Sequence, residues 1–389
     1  MGIFHNQDSS SATSSSPTST STSSSSTCPP LPYSDPPQAI AGGLTLQHIF
    51  LICAGACTLC TFIISRFLVF KHLHRYTYPD EQRQIVRVVV TPIWFSVVSL
   101  WSIAFYEAAD YLTPIANIYE SFALTALFLL FVNYVAPDPV TRDAFFNNLP
   151  MKDRKGNETG LGSLGWFRKS WAIVFAYPLI FFFLSIVEWI TLGIGKYCAN
   201  SNKPKFAHIW ITLFTNIATT IAVLRVIGFY NRLKQPMASH KPLLKLLSFK
   251  LIVGLNFLQS IIFSFVSGDH DVIDKLGAKF TFNDLRVGLP NLILCFEAVL
   301  LALMMHFTYR SREYHTNNGR TRMSTFRAFL DSFNFMDILR GIVLIPVYLS
   351  GGGSNQRTKT FEGYERYEGS TDTAPMRPYG TPPASHAYQ

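Results

Sequence analysis

Charge is what this 389-residue chain has little of: 15% of it is Asp, Glu, Lys or Arg, against about 25% in soluble domains. Its first 44 residues hold no Lys or Arg, and no apolar core of the kind a cleavable leader needs. Close His pairs are scarce as well. His72-x-His74 stands alone, without the repeated His boxes of a di-iron membrane enzyme, and neither His-Glu-x-x-His nor Gly-x-Gly-Asp occurs. These absences argue against an enzyme, a metal centre and a bound cofactor. Two receptor signatures are missing too. The third apolar run ends Tyr134-Val-Ala-Pro-Asp138 where Asp-Arg-Tyr would follow, and the last run has no Asn-Pro-x-x-Tyr. A net charge of +9 then reads as loop charge beside a membrane, not as a nucleic-acid surface.

What is present is apolar, 48% of the chain with 33 Phe, and it comes in blocks. Seven runs, at 45–70, 86–108, 112–136, 172–195, 207–230, 244–266 and 286–309, each reach the roughly 20 residues that span a hydrocarbon core. They are apolar on nearly every face, unlike the amphipathic helices of soluble bundles. The expected fold is an all-α membrane protein, a bundle of seven transmembrane helices. Lys and Arg divide 26 to one side and 6 to the other, with Arg225 inside a run. The positive-inside rule therefore places the N-terminus in the lumen or outside the cell and the C-terminus in the cytosol. Cys28 and Cys198 then share the oxidising side, where a disulfide between them is one option.

Residues 1–44, rich in Ser, Thr and Pro, read as a disordered lumenal tail. Beyond the last run, Phe326, Phe329, Leu330, Phe333 and Met336 recur at helical spacing beside Arg322, Arg327 and Arg340. Residues 310–350 are thus expected to form a cytosolic interface segment with an amphipathic helix on the anionic face. The polar stretch 351–389 reads as a disordered cytosolic tail.

Polar residues inside the runs are the informative ones. Cys53, Cys57 and Cys60 share one helix face and read as small residues at a helix–helix contact. Pro92 predicts a kink or a widened turn in the second run. In the seventh, Asn291, Cys295, Ala298, Ala302 and His306 share an arc, while Glu297 points about 120° away. That run offers polar atoms to two neighbours. Intramembrane charge is costly and normally faces the bundle interior or a water-filled path. Glu120, Glu188, Gln259, Asn291, Glu297 and Arg225 are accordingly the candidate substrate path. Arg75, Arg83, Arg87 and Lys250 read as topology and headgroup anchors. The acidic loop 267–285, with Asp269, Asp271, Asp274 and Asp284, lacks the ligand spacing of a calcium loop and reads as solvated.

Several motifs then fall in register. They are Leu73…Tyr76-Thr-x-Pro79-x-x-Gln82-Arg83-x-Ile85-Val86-Arg87 followed by Pro92; Tyr119-Glu120-Ser-Phe; Phe249-Lys250-x-Ile-Val…Phe257-x-Gln259; Asn291-x-Ile-x-Cys295-x-Glu297 with His306-Phe307; and Asn334-x-x-Asp337. With seven runs, this set resembles the organic solute transporter alpha family, which includes the transmembrane protein 184 group, over roughly residues 45–340. The resemblance implies a seven-helix bundle with a lumenal N-terminus that moves amphipathic organic solutes, such as steroid-like or conjugated anions, by facilitated diffusion. It implies the bilayer and such a solute as partners, with a second copy or a small single-span subunit as a protein partner. It also implies a vacuolar, other endomembrane or plasma-membrane location. The long cysteine run of the animal subunit is not evident. The alternative is a non-transporting seven-helix scaffold or receptor in endomembrane trafficking or signalling.

Overall fold

The computed structural model describes residues 43–152, 156–199, 203–249, 281–314 and 322–350, with positions 28, 39, 251, 254, 255, 259 and 262. Helix α1, Leu46–His74, shows how these runs become membrane helices. Its buried stripe is Phe50, Ala54, Thr58, Thr61, Ser65, Leu68 and His72, three and four residues apart, while Ile52, Leu59, Phe62, Ile63, Phe67 and Phe70 point outward. Small and hydroxyl residues inside with large apolar residues outside is the packing expected in lipid. Thr61 donates to the carbonyl of Cys57 on its own helix (2.9 Å), satisfying a polar atom where no water reaches. Cys53 and Cys57 flank this stripe and Cys60 faces out. Cys57 packs against the cluster of Ala54, Ile103 and Cys295 beside the hydroxyls, as expected of a small residue at a helix contact, while Cys60 does not share in it.

The second crossing is two helices, α2 (Pro79–Val89) and α3 (Thr91–Ala104), broken at Val90. Pro92 sits in the first turn of α3, where its missing N–H and its ring interrupt the helix above. The kink expected there is present. The helix starts at Pro79 rather than at 86, so the charged stretch between the first two runs shrinks to a turn at 75–78. Pro79 at the first position, with Asp80 and Glu81 in the first turn, is good helix-start chemistry that hydropathy does not register. Gln82 ties the turn together. Its Oε1 accepts from the backbone N–H of Thr77 and Tyr78 (2.8 and 2.9 Å), and its Nε2 donates to the carbonyls of His72 and Arg75 (3.2 and 2.8 Å).

Helix α4, Ala109–Val135, is the axis of the bundle: residues 123–133 are all buried. Phe128 at its centre meets Trp171, Phe175 and Phe229 edge-on. After α4 come the short helix α5 (Arg142–Asn148) and an antiparallel hairpin of β1 (Pro150–Lys152) and β2 (Glu158–Leu161). The long helices α6 (Leu164–Gly193) and α7 (Ala207–Leu233) follow, then a helical stretch at 242–249. A π turn at Asp284–Gly288 leads into α8 (Leu289–Thr308). The chain closes with α9 (Thr325–Ser332) and α10 (Met336–Leu349).

Two ends of the bundle can be told apart. At the turn end, Asn133 donates to the carbonyl of Asp80 (2.9 Å), His72 bonds the carbonyl of Tyr309 (3.0 Å), and Lys245 donates to the hydroxyl of Tyr134 (2.8 Å). At the far end, Gln47 donates to Ile103 (2.9 Å), Tyr106 to Asp284 (2.7 Å), and Arg286 pairs with Asp110 (2.7 Å). Cys28 and Cys198 are joined by a disulfide at that end, with Cα atoms 5.4 Å apart. Cys198→Ser should therefore shift the oxidised protein on a non-reducing gel and leave the reduced protein unchanged; identical oxidised mobility would remove the bridge. Asp284 is buried, its carboxylate accepting from Tyr106, Thr281 N–H and the Thr281 hydroxyl. The expectation of a solvated acid fails there, and Asp269, Asp271 and Asp274 lie outside the described residues.

Among the described residues, seven segments are long and apolar enough to cross a membrane: Leu46–His74, Pro79–Ala104, Tyr106–Val135, Leu164–Gly193, Ala207–Leu233, Asp284–Thr308 and Thr325–Leu349. The chain is an all-α, multi-pass membrane protein. Six of the segments match runs read from the sequence; most of the run 244–266 lies outside the described residues. The seventh was expected as an interfacial helix. Its contacts show a hairpin that enters and leaves at the turn end. Met323 N–H bonds the carbonyl of Tyr76 in the turn (3.2 Å), α9 descends along α2, and α10 climbs back along α6. Trp171 donates to the carbonyl of Gly341 (3.1 Å), and Tyr348 meets Phe167 and Arg168 near the start of α6. The large apolar residues of the expected amphipathic face, Phe326, Phe329, Leu330 and Met336, point outward, and the hairpin packs on the bundle through Ala328, Ser332, Ile338, Gly341 and Leu344.

Candidate functional site

The densest polar network joins this hairpin to α2. Arg87, eight residues into α2 and thus about 12 Å along it, is 1% exposed. Its Nε donates to the carbonyl of Ser332 (3.0 Å). Nη1 donates to Gln84 (2.9 Å) and Asp337 (2.8 Å), and Nη2 to Asp337 (2.8 Å) and the carbonyl of Asn334 (2.6 Å). The carbonyls freed where α9 ends are thereby satisfied without water. Gln84 also donates to Asp337 (2.7 Å), and the guanidinium lies over the Phe335 ring. One turn nearer the surface, Arg83 grips Asp331 through two bonds (3.0 and 2.7 Å), and the Tyr76 hydroxyl donates to the same carboxylate (2.6 Å). Burial, and then the Asp331 charge, push the Tyr76 phenol far above its usual range, so it stays a neutral donor.

Arg83 and Arg87, expected as topology and headgroup anchors, are bound into the hairpin contact. All five bonds of Arg87 and both bonds of Arg83 go to protein acceptors. Arg75 is exposed on the turn, and Lys250 lies outside the described residues. Sequence reasoning missed Tyr76, Gln84, Asp331 and Asp337 as partners of these arginines. The signal was available: two arginines four apart on α2, and two acids on the helices after the last run.

The path candidates do not converge on one pocket among the described residues. Glu120 of α4 is 8% exposed and makes no hydrogen bond or ion pair with them. It lies within electrostatic reach of Tyr177, whose hydroxyl shares a hydrogen bond with Thr219 of α7 (3.2 Å). Glu120 therefore faces the seam of α4, α6 and α7. Glu188 of α6 bonds the hydroxyl of Tyr197 near the disulfide, with Asp110 close by. Burial, followed by the Glu188 charge, drives the Tyr197 phenol well above its ordinary range. Glu297 accepts from Gln259 Nε2. Cys295, Ala298 and Ala302 are buried, and Cys295 meets Thr58 of α1 and the Ser96 carbonyl of α3. The expected division of α8 between two neighbours holds. Asn291 donates to the Val287 carbonyl of its own helix segment (2.9 Å). Arg225 lines a separate groove between α6 and α7. Among the described residues, no cluster of His, Cys, Asp and Glu has the make-up of a metal site.

A family model described as "Organic solute transporter Ostalpha" matches residues 50–314. The chain belongs to the organic solute transporter alpha family. The match covers α1 to α8 and stops short of the hairpin. Among curated relatives, the Vacuole membrane protein hfl11 of Schizosaccharomyces pombe is 24% identical over 285 residues, 71% of this chain and 65% of that protein. A transmembrane protein 184 homolog of Dictyostelium discoideum is 23% identical over 69% of this chain and 54% of its own length. Protein LAZ1 of Arabidopsis thaliana is 23% identical over 67% and 57%. The match thus spans between half and two thirds of the relatives' length. No solved structure matches. The motifs of this family member meet in space: Tyr76, Arg83 and Arg87 of the first hold Asn334 and Asp337 of the last, together with Asp331.

Proposed function

We propose that this family member carries amphipathic organic solutes, steroid-like or conjugated anions, across an endomembrane by facilitated diffusion. The observation that carries the reading is Glu120: an acid in the bundle interior that lacks a hydrogen-bonding or ionic partner among the described residues. A buried polar group without a partner is costly, and a solute hydroxyl is a partner that comes and goes. Glu188 and the Gln259–Glu297 pair add polar groups inside the bundle, which support a path opened by alternating access. The disulfide supports a lumenal far end, and the name of the yeast relative supports a vacuolar or related membrane.

The test is uptake by proteoliposomes of a panel of steroid-like anions. Glu120→Gln should lower saturable flux roughly tenfold, about one hydrogen bond to a charged group, with unchanged expression. Equal flux in the variant would take Glu120 off the path. No saturable flux with any compound would favour the scaffold reading.

A further inference from the structure

The groove between α6 and α7 is a lateral opening of about 350 Å³, lined by Trp166, Ser170, Ile221, Leu224, Arg225 and Gly228. Aromatic and hydroxyl groups on α6 shape one wall. Trp166 is fixed between the Phe229 ring, stacked at 5.6 Å, and the Arg232 guanidinium, 4.4 Å from its centre. Arg232 itself donates to the Pro150 carbonyl (2.7 Å) and to the Ser163 hydroxyl. Ser170 donates to the carbonyl of Trp166 (2.9 Å), leaving its oxygen only as an acceptor. Arg225 brings charged donors that no acceptor fills: it makes no hydrogen bond or ion pair among the described residues. A guanidinium presents five N–H groups in a planar fork and cannot shed its charge.

Depth narrows the occupant. Helix α7 has 27 residues, about 40 Å, and overhangs a core of about 30 Å. Arg225 lies eight residues before Leu233, about 12 Å from that end. With α7 centred, it sits roughly a turn inside the hydrocarbon boundary, within snorkelling reach of phosphates. Ile221 and Leu224 beside it are exposed on the lipid-facing surface. The ligand must therefore bring a charged acceptor to the membrane edge and lay an apolar chain along α7.

We propose that this groove holds one anionic phospholipid, its phosphate on the Arg225 fork and an acyl chain along Ile221 and Leu224. Guanidinium and phosphate match in charge and in bidentate geometry. The lipid arrives already at the right depth, whereas a free phosphate would have to shed its water to reach it. The site is separate from the path through Glu120, and its test reads bound lipid, not flux.

The purified protein, offered equal amounts of phosphatidylserine and phosphatidylcholine, should retain one phosphatidylserine in native mass spectrometry. Arg225→Gln should cut that retention roughly tenfold. Gly228→Leu keeps the charge and places an apolar side chain in the groove; the added Cβ meets nothing within 4 Å, so the backbone accommodates the start of that side chain. It should lose the lipid as well. Equal retention in wild type and Gly228→Leu, or no preference for phosphatidylserine, would overturn the site. So would displacement of the lipid by inorganic phosphate, which would mark a simple anion site.

Discussion

Replacing Arg87 with Gln should detach the α9–α10 hairpin from the bundle. Five donated bonds converge on that guanidinium, and a Gln amide cannot reach Ser332, Asn334 and Asp337 together. The Ser332 and Asn334 carbonyls would lose their guanidinium donors, and the Asp337 carboxylate would keep Gln84 as its donor but lose its counter-charge. Breaking one side of a buried pair costs about 3–5 kcal/mol, the largest single effect expected in this chain. Thermal unfolding followed by fluorescence-detected size exclusion should show the loss, and proteolysis around Asn334 should accelerate. Asp337→Leu should behave alike. The double variant Arg87→Met/Asp337→Leu should be milder than either single change, because it leaves no buried charge without a partner. Equal stability of wild type and Arg87→Gln would show that the hairpin is held by apolar packing alone.

Gly341→Ala should be the next most damaging change, for the opposite reason: it adds atoms. The new Cβ would fall 1.8 Å from Cε1 of Phe175, with two further ring atoms within 2.5 Å. Phe175 cannot swing away, being fully buried and stacked on Trp171 at 4.3 Å. The helix pair must separate instead, losing the Trp171–Gly341 bond with it. Overpacking of this kind costs about 1–3 kcal/mol. Phe175→Leu introduced beside Gly341→Ala should recover part of the stability, measured by the same unfolding assay. No recovery would mean that the glycine acts through backbone freedom rather than through contact.

The bundle was legible in the sequence because lipid imposes a simple rule: about 20 apolar residues in a row make a crossing helix. The Pro92 break and the two faces of α8 followed from elementary helix geometry. What escaped was polar and long-range. The first turn of α2 is charged, so hydropathy assigned it to a loop. Its arginines were read as facing headgroups, because a single sequence shows no link between residues 83–87 and residues 331–337. The hairpin at 325–349 was read from its outward apolar face, Phe326, Phe329, Leu330 and Met336, whereas the side that packs on the bundle is made of small residues such as Ala328, Ser332 and Gly341, which carry little hydropathy signal. Glu120 and Glu297 were legible as intramembrane acids; their lack of a common pocket among the described residues was not.

Counterflow is the measurement that meets the transport reading most directly. Proteoliposomes loaded with an unlabelled steroid-like anion should take up the labelled compound transiently above equilibrium, faster than unloaded vesicles and saturably with concentration. Uptake that rises linearly and matches protein-free liposomes for every compound in the panel would contradict transport and leave this family member as a membrane scaffold.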